Sequence, residues 1–397
     1  MKLSRRDFLI KGTAMFATLG LGEVLLPTGG SIFAQGAEGA GDETLFVSIY
    51  LDGGNDGLNT LIPYAQGTYY DARPTLAYKQ SDVLALDNQV GLHPKLVNLK
   101  KLYDNKKLAI VQGVGYPNPN LSHFHSMDVW RTAQPEKVGK ARTTSWISRY
   151  IQSSLKPGDT PLTATKIGGI YNVDSYHIFS PDIPVLELNR FKQAFNEIHA
   201  SNNNMEQLRV IGDHARATME AAGYIQSKIS NYVPGVQYPD LGLANSLQGI
   251  VKLMACKTGT RVFTASQGGF DDHHHELYQH AKLLGEVDQS IGAFVEDLDK
   301  NGFYNRVAVL VYSEFGRKIK ENGNQGTDHG TAQPVFVFGG RVKGGLYGAY
   351  PSLTNLDGGD MKCHVDFRSV YSTILESWLK GDTQSVLGKT YENLKIF

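Results

Sequence analysis

Two aspartates and three histidines stand together in one short segment, GGFDDHHHE, at positions 268–276. In an extended chain alternate side chains point to opposite faces, so Asp271, His273 and His275 share one face. If a helix begins here instead, Asp271 and His275 lie one turn apart. In either conformation one carboxylate and one imidazole can converge on an ion. The segment therefore predicts part of a metal site, provided that the rest of the chain supplies further ligands.

Further acidic and imidazole side chains lie next to other apolar runs. Asp52 and Glu314 each end such a run, and the GTDHG motif at 326–330 comes just before another. A strand-end Asp is often only a turn former or helix cap, but ligands of open parallel sheets bind at the carboxyl ends of strands. Carboxylates gathered in one cleft repel each other unless a cation neutralises them. Mixed oxygen and nitrogen ligands suit one or two divalent ions, Zn²⁺, Mn²⁺, Mg²⁺ or Ca²⁺. The predicted ligands are Asp52, Asp271, His273, Glu314, Asp328 and His329.

The elements that must position these side chains are strands and helices in alternation. Near-continuous apolar runs bounded by glycine are typical of strands buried on both faces of a parallel sheet. Apolar residues at helical spacing predict helices over 276–299 and over 366–379, where Asp366 is the expected N-cap, and the polar stretch 195–231 is also expected to be helical. The pattern predicts an α/β fold with a central, mostly parallel sheet flanked by helices. The predicted strands are 44–52, 107–115, 261–269, 306–314 and 333–340.

The N-terminus carries the motif SRRDFL, followed by a mildly apolar stretch and small residues between Ala34 and Ala40. This resembles the twin-arginine export signal, with Arg5 and Arg6 as its arginine pair. Because Glu23 interrupts the apolar stretch, a stable membrane span is not expected. We therefore expect residues 1–40 to be a cleaved signal, the twin-arginine export machinery to be a partner, and the mature protein to be periplasmic or secreted.

Composition excludes one class of function. The chain has 39 basic and 39 acidic residues, so its formal net charge is +0 and no basic face for nucleic acid is implied. The two cysteines, Cys256 and Cys363, either pair or stay free, and their spacing does not decide between these states.

Six motifs then occur in order along the chain, and together they resemble the bacterial domain-of-unknown-function 1501 family. These motifs are YLDGGNDGLNTLIPY (50–64), SHFHSMDVWRTA (122–133), GGFDDHHH (268–275), SEFGR (313–317), GTDHG (326–330) and DFRSVYSTILESWL (366–379). Members of this family are secreted relatives of alkaline phosphatases and sulfatases. The resemblance implies one alkaline phosphatase-like α/β domain over 41–397 with a helical insertion.

The resemblance also implies roles for particular residues. Asp52 matches the first metal-binding Asp of the superfamily, and Ser122 fits the place of its nucleophile at a helix N-terminus. Asp271 and His273 match the second metal-binding pair, with His275 as the alternative ligand. The strand-end Asp-His pair of the superfamily is missing at SEF, where Glu314 stands instead. Asp328 and His329 are expected to supply those ligands, and His364 is either a late ligand or a surface residue.

Several polar residues keep two interpretations. Arg317 either clamps an anionic group or forms a structural ion pair with a carboxylate of the site. Ser122 is either the nucleophile or an ordinary N-cap. Of His123 and His125, which a helix points to different faces, at most one is expected to be functional. Asn55, Asp56 and Asn59 either contact substrate or belong to an ordinary turn.

Two functions follow from these expectations. The first is a metal-dependent hydrolase of phosphate or sulfate esters, acting on a small or polymeric anionic ester, with Ser122 or a water as nucleophile and Arg317 stabilising charge. The alternative is a non-catalytic exported accessory or surface-binding protein that keeps the fold and a structural metal.

Overall fold

The computed structural model describes residues 43–138, 144–154, 164–167, 177–179, 232, 234–257 and 259–397. The predicted export signal, 1–40, and the predicted helix 195–231 lie outside these residues.

A nine-stranded sheet forms the centre of the described structure. Its strands are β1 (Leu45–Leu51), β5 (Leu108–Gly115), β6 (Ala164–Ile167), β7 (His177–Phe179), β8 (Val262–Gln267), β9 (Val307–Ser313), β12 (Gln333–Gly339), β13 (Gly345–Tyr347) and β16 (Val365–Asp366). Their order is β13-β5-β12-β9-β1-β8-β6-β7, and β16 also pairs with β5. All five strands predicted from apolar runs are present.

Within the described strands of this sheet, only β12 runs against the others. It pairs antiparallel with both β5 and β9, whereas β1 pairs parallel with β8 and β9. The reason lies in the connection from β9 to β12, which consists of the hairpin β10 (Arg317–Glu321) and β11 (Thr327–His329). No crossover helix carries the chain back to the start of the sheet, so it re-enters in the opposite direction. The prediction of a central, mostly parallel sheet in an α/β fold is confirmed.

Two small sheets complete the strand inventory of the described residues. One contains β2 (Leu61–Ile62), β3 (Leu84–Ala85) and β4 (Gly91–Leu92), and the other pairs β14 (Leu356–Asp357) with β15 (Asp360–Met361).

Helices cover both faces of the central sheet. Those of the described residues are α1 (Gly57–Thr60), α2 (Gly67–Ala72), α3 (Val97–Asp104), α4 (His123–Thr132), α5 (Trp146–Ser154), α6 (Gly242–Ala255), α7 (Glu276–Lys300), α8 (Phe367–Thr373) and α9 (Thr383–Leu387). A π-helical turn, Ile374–Leu379, continues α8. The two helices predicted over 276–299 and 366–379 are thus observed, and the carboxylate of Asp366 caps α8 by accepting the Arg368 N–H.

Alternate residues of each strand enter two separate cores. Val309 and Val311 of β9 pack with α3, α6 and α7 on one face, whereas Ala308 and Leu310 pack with α4, α5 and α8 on the other. Because both faces are covered, the strand sequences are apolar throughout, as in other doubly covered sheets.

Two further expectations can be compared with the structure. Cys256 and Cys363 do not form a disulfide with each other. None of the helices in the described ranges is long and apolar enough to cross a membrane.

Candidate metal centre

The turns that follow β1, β8 and β9 meet at one edge of the sheet, because these three strands are parallel. The backbone N–H of Asp52 donates to the Gln267 carbonyl over 2.9 Å, and the Phe270 N–H donates to the Asp52 carbonyl over 3.1 Å. Gly53 lies against the same segment with φ +117°, and a Cβ added there would lie 2.5 Å from the Asp271 nitrogen. Only glycine therefore allows the turn after β1 to approach Asp271 this closely.

Helix α4 brings a histidine to the same edge. It follows β5, and its N-cap is Ser122, in an extended conformation. Helical spacing places His123 above the buried residues Ser126 and Trp130, whereas His125 points elsewhere. The indole N–H of Trp130 donates to the Glu314 carbonyl over 2.8 Å, which ties α4 to the end of β9.

The imidazole of His123 is oriented by the buried carboxylate of Glu314. Nδ1 of His123 lies 2.6 Å from Oε1 of Glu314, and the Gly53 N–H donates to the same oxygen over 3.1 Å. The hydrogen bond to Glu314 raises the pKa of His123, against the effect of burial. Burial raises the pKa of Glu314, but the hydrogen bond from His123 and other donors lower it overall. Glu314 is therefore an ionised acceptor, which places the His123 proton on Nδ1 and leaves Nε2 with a lone pair when the ring is neutral.

His329 is oriented in a similar way from the hairpin. Its Nδ1 lies 2.7 Å from the Leu121 carbonyl oxygen, which can only accept, so Nδ1 carries the proton and Nε2 faces the site. Along β11 the side chains alternate, so Thr327 is buried and Asp328 is exposed on the other side. The Asp328 carboxylate accepts a hydrogen bond from the Asn322 amide over 3.3 Å. The structure thus brings His329 to the edge of the sheet and turns Asp328 away from it.

Asp271 supplies the oxygen at the centre of the group. Its Oδ1 accepts a 2.7 Å hydrogen bond from Arg317 and lies 3.0 Å from Nε2 of His329 and 3.0 Å from Nδ1 of His273. Burial raises the pKa of Asp271, but the hydrogen bond from Arg317 and the adjacent imidazole of His329 bring it down to about 2. Asp271 is therefore a carboxylate at neutral pH.

Three ligand atoms converge here at distances that fit a bound ion. Nε2 of His123 lies 3.0 Å from Nε2 of His329 and 3.3 Å from Oδ1 of Asp271. Two ligands of a tetrahedral zinc ion, each about 2.0–2.1 Å from the metal, are about 3.3 Å apart. Both imidazoles have their Nδ1 proton directed outwards, so two lone pairs and one carboxylate oxygen face one another. Such an arrangement is repulsive unless a proton or a metal cation lies among them. The residues therefore fit a divalent ion.

The other predicted ligands take different places. Glu314 stands behind His123 and supports its ring, and its atoms are not among the three that converge. His273 shares a face with Asp271, as expected for an extended chain, and its ring centroid lies 4.9 Å from that of His329. His275 instead begins α7 in a left-handed conformation with φ 49°. The backbone of Asp52 joins the turns after β1 and β8, but its side chain is not part of the converging group.

The two residues predicted to be catalytic differ in accessibility. Ser122 is exposed at the start of α4, as predicted, and its side chain forms no capping hydrogen bond. Arg317 is 1 % exposed, and besides Asp271 its guanidinium donates to backbone carbonyls of four residues. These are Gly53, Gly54, Phe270 and Thr327. The geometry of Arg317 therefore matches the structural ion pair rather than an open clamp for an anion.

The polar residues in the GGNDG turn (53–57) and just after it are buried: these are Asn55, Asp56 and Asn59. Asn59 donates to the Leu76 carbonyl over 3.0 Å and accepts from the Tyr69 hydroxyl over 2.8 Å. Asp56 is buried and paired with Arg73. His364, the proposed late ligand, lies beside β5, where its backbone N–H donates to the Gly113 carbonyl over 2.9 Å.

A second group of metal-ligand type lies deeper in the protein. It consists of Asp56, Glu276 and His280, all three buried. It was not among the groups predicted from the sequence. Its signal was present, since Glu276 and His280 are four residues apart and so lie on one face of the predicted helix, but Asp56 is distant in sequence and reads as a turn residue.

Comparisons with known proteins give a family and several remote similarities of structure. A protein in the alkaline phosphatase superfamily from Vibrio parahaemolyticus has TM-score 0.40 and 11% identity, over 98% of this chain and 80% of that chain. Phosphonate monoester hydrolase of Agrobacterium radiobacter has TM-score 0.42 and 8% identity, over 89% and 79%. The lipoteichoic acid synthase LtaP from Listeria monocytogenes has TM-score 0.38 and 9% identity, over 89% and 79%.

No curated protein matches the sequence. Residues 187–390, just over half of the chain, match the family described as "Protein of unknown function (DUF1501)", which confirms the resemblance drawn from the six motifs. The protein therefore belongs to the DUF1501 family.

Proposed function

We propose that the protein is an exported, metal-dependent hydrolase of phosphate or sulfate esters, with its ion held by His123, Asp271 and His329. The observation that carries the proposal is the convergence of two imidazole lone pairs and one carboxylate oxygen within 3.3 Å. Three protein ligands leave a position for water or substrate, as in catalytic zinc sites. A divalent ion bound here supplies Lewis-acid stabilisation of the negative charge that develops on an ester oxygen.

The chain's own residues hold the ligands in place. Glu314 fixes the tautomer and orientation of His123, and the Leu121 carbonyl does the same for His329. Carboxylate and carbonyl partners of this kind strengthen imidazole ligands and limit their rotation. Arg317 holds Asp271 while itself being held by the turns after β1 and β8. We assign Arg317 this positioning role.

The start of α4 offers a site for the tetrahedral anion beside the ligands. N–H groups in the first turn of a helix have no acceptor within the helix, and they carry partial positive charge. His123 is the first residue of this ten-residue helix, so these donors lie next to the ligand group. An anionic ester group bound here would be stabilised by the positive charge of the ion on one side and by the helix N–H groups on the other. Ser122, exposed at the same helix start, is the candidate nucleophile, and a water is the other.

Export is proposed from the sequence alone. The SRRDFL motif, with Arg5 and Arg6, precedes a weakly apolar segment of the kind that twin-arginine signals contain. A protein that folds before export can carry a metal already bound, which agrees with a metal-dependent activity outside the cytoplasm.

The experiment compares two ligand variants with one control from the same helix. Wild type, His123→Ala, His329→Ala and His125→Ala are purified, loaded with Zn²⁺ or Mn²⁺, and assayed for metal content and for turnover of aryl phosphate and aryl sulfate esters. We expect the two ligand variants to lose the chelator-accessible ion and at least about 10²-fold in kcat/KM, and His125→Ala to retain both. Retention of metal and rate by both ligand variants would reject the site.

Ser122→Ala distinguishes the two nucleophiles. If Ser122 attacks, the variant loses turnover and keeps its metal, whereas attack by a water leaves most of the rate. A wild-type protein that binds metal at His123 and His329 but turns over neither ester class would instead support the accessory-protein alternative.

A further inference from the structure

The buried group Asp56, Glu276 and His280 joins two parts of the fold that are distant in sequence. Asp56 caps α1 after the first strand, and Glu276 and His280 lie one turn apart at the start of α7. The three side chains are 2 %, 0 % and 1 % exposed, respectively. One potential ligand atom from each residue lies within 4.8 Å of those from the other two.

Two atoms of this group lack partners in the interior. Oε2 of Glu276 accepts from the Thr327 hydroxyl over 2.6 Å, and Nε2 of His280 lies 2.9 Å from Oδ1 of Asn55. The other atoms, Oε1 of Glu276 and Nδ1 of His280, are buried and have no hydrogen-bond partner among the described residues. A buried polar atom without a hydrogen-bond partner destabilises the folded state, so a group that satisfies both atoms would stabilise the fold.

The charges around the group favour a cation. Arg73 contacts both oxygens of the Asp56 carboxylate. Glu276 and the neighbouring buried Asp272 form no salt bridge with a described lysine or arginine, and Asp272 also has an unpartnered oxygen, Oδ2. Thr327 links the two, since its hydroxyl donates to Glu276 and its N–H donates to the Asp272 carbonyl over 3.1 Å. When all three carboxyls are ionised, they and the one guanidinium carry two net negative charges, which is the charge that one divalent ion neutralises. Without a cation, burial and the charge of Asp56 raise the pKa of Glu276 well above its ordinary value.

We propose that Asp56, Glu276 and His280 bind a second divalent cation, separate from the ion at His123. One imidazole nitrogen with carboxylate oxygens suits Zn²⁺ or Mn²⁺. Because the three ligands are buried, substrate does not reach this ion, and its role is structural. It joins the turn after β1 to the first turn of α7, and so fixes the 268–275 segment that carries Asp271.

Burial makes the two ions distinguishable by exchange. The carboxylate of Asp271 is 50 % exposed, so a chelator can reach an ion at the first site. An ion among fully buried ligands leaves only when the fold opens locally, which is slow under native conditions. The buried ion must therefore be acquired as the chain folds.

The test measures metal that survives a chelator. Full-length wild type and variants are produced in medium containing Zn²⁺ and Mn²⁺, dialysed against EDTA under native conditions, and analysed for both elements. We expect wild type and His329→Ala to retain about one equivalent per chain, whereas Glu276→Gln and His280→Gln retain none. Glu296→Gln, an exposed carboxylate on the same helix, is the matched control and retains the ion.

If Glu276→Gln and His280→Gln do not fold, the wild-type protein alone still tests the proposal. The protein is unfolded in guanidinium with EDTA and refolded with or without Mn²⁺ or Zn²⁺. We expect a higher Tm and EDTA-resistant metal only when the ion is present during refolding, and no such gain when it is added afterwards. Wild type that retains no metal after EDTA, or Glu276→Gln that retains as much as wild type, would overturn the proposal and leave water as the group that satisfies these atoms.

The buried site and the proposed function are tested by different measurements, so either can be rejected without the other. The first site is read from chelator-accessible metal and ester turnover, and the second from chelator-resistant metal and Tm. A protein that loses all its metal to EDTA and regains turnover with Zn²⁺ keeps the first site and rejects the second.

Discussion

Nδ1 of His123 lies 2.6 Å from Oε1 of Glu314, although 191 residues separate them along the chain. The contact exists because α4 follows β5 and Glu314 follows β9, and both strands end at the same edge of the sheet. It makes Glu314 a support for the ring of His123 rather than a member of the converging group. Several measurable consequences depend on this difference.

Replacing Glu314 with Gln should weaken metal binding without abolishing it. The amide keeps the size of the side chain but removes the charge that holds the Nδ1 proton of His123. Loss of such a supporting carboxylate typically lowers metal affinity about 10–100-fold. Competition with a chromophoric chelator measures the affinity, and circular dichroism checks that the fold is retained. An unchanged affinity would show that Glu314 does not act through His123.

Metal binding should release a proton near neutral pH. The hydrogen bond to Glu314 raises the pKa of His123 above its ordinary value of 6.5, so in the metal-free protein this ring holds a proton that the ion must displace. Apparent affinity should therefore fall about tenfold per pH unit below that raised pKa. Calorimetry in two buffers of different ionisation enthalpy measures the proton release. In His123→Ala the release should disappear together with the strong binding.

The stability of the metal-free protein should fall as the pH rises, whereas its metal affinity should rise. A histidine whose pKa is higher in the folded state stabilises the fold fully below the unfolded value of 6.5, and this contribution is lost as the pH rises through the folded value. The free energy of unfolding of metal-free protein should thus fall over this range more in wild type than in Glu314→Gln. Denaturation at several pH values, with EDTA present, makes the comparison. Equal pH dependence in both proteins would contradict the assignment.

Gly53→Ala should disturb both the fold and the metal centre. The residue has φ +117°, and an added Cβ would lie 2.5 Å from the backbone nitrogen of Asp271. The strained backbone alone costs about 1–3 kcal/mol, and relief of the clash must move Asp271. We expect a lower Tm together with weaker metal binding. Gly67→Ala is the control, because nothing lies within 4 Å of its added Cβ, and it should leave both properties nearly unchanged.

Arg73→Met should destabilise the protein strongly. Arg73 is fully buried and contacts Asp56 through two nitrogens, so its removal leaves a buried carboxylate without its partner. Breaking a buried ion pair in this way costs about 3–5 kcal/mol. Chemical denaturation measures the loss, and adding Asp56→Asn to the variant should recover part of it. Lys100→Met, which removes an exposed pair with Asp104, should cost less than about 1 kcal/mol.

Export can be tested without regard to the metal centres. Arg5→Lys combined with Arg6→Lys should hold the precursor in the cytoplasm, because the machinery reads the arginine pair. Fractionation and immunoblotting give the distribution and the size of the processed chain. Unchanged periplasmic yield of the double variant would reject this route.

Much of the scaffold was predictable because its signals are local. Apolar runs long enough to cross a doubly covered sheet identified all five long strands, and helical periodicity identified α7 and α8. The direction of β12 was not predictable in the same way. It depends on the β10–β11 hairpin, whose short polar strands carry no strong periodic signal.

The residue types alone indicated a candidate metal centre and the edge of the sheet at which its residues lie. Asp271 was named because it follows a predicted strand, and His329 because its GTDHG motif comes just before another, and both are in the converging group. What remained undecided was the side of the chain to which each side chain points. Asp328 and His329 are adjacent, yet alternation along β11 sends only His329 to the site. His123 was preferred over His125 only when the packing of Trp130 fixed the rotation of α4.

The amino-acid sequence by itself determined the family, the α/β architecture and the segments that meet at the carboxyl edge of the sheet, because these follow from local patterns and strand direction. The tertiary structure decided which atoms meet. Glu314 supports the ring of His123. Arg317 donates to backbone carbonyls of the turns after β1 and β8. Asp56 lies beside Glu276 and His280. Each outcome depends on contacts between residues far apart in the chain, where a rotation of one helix or a shift of one strand residue exchanges the inward and outward side chains.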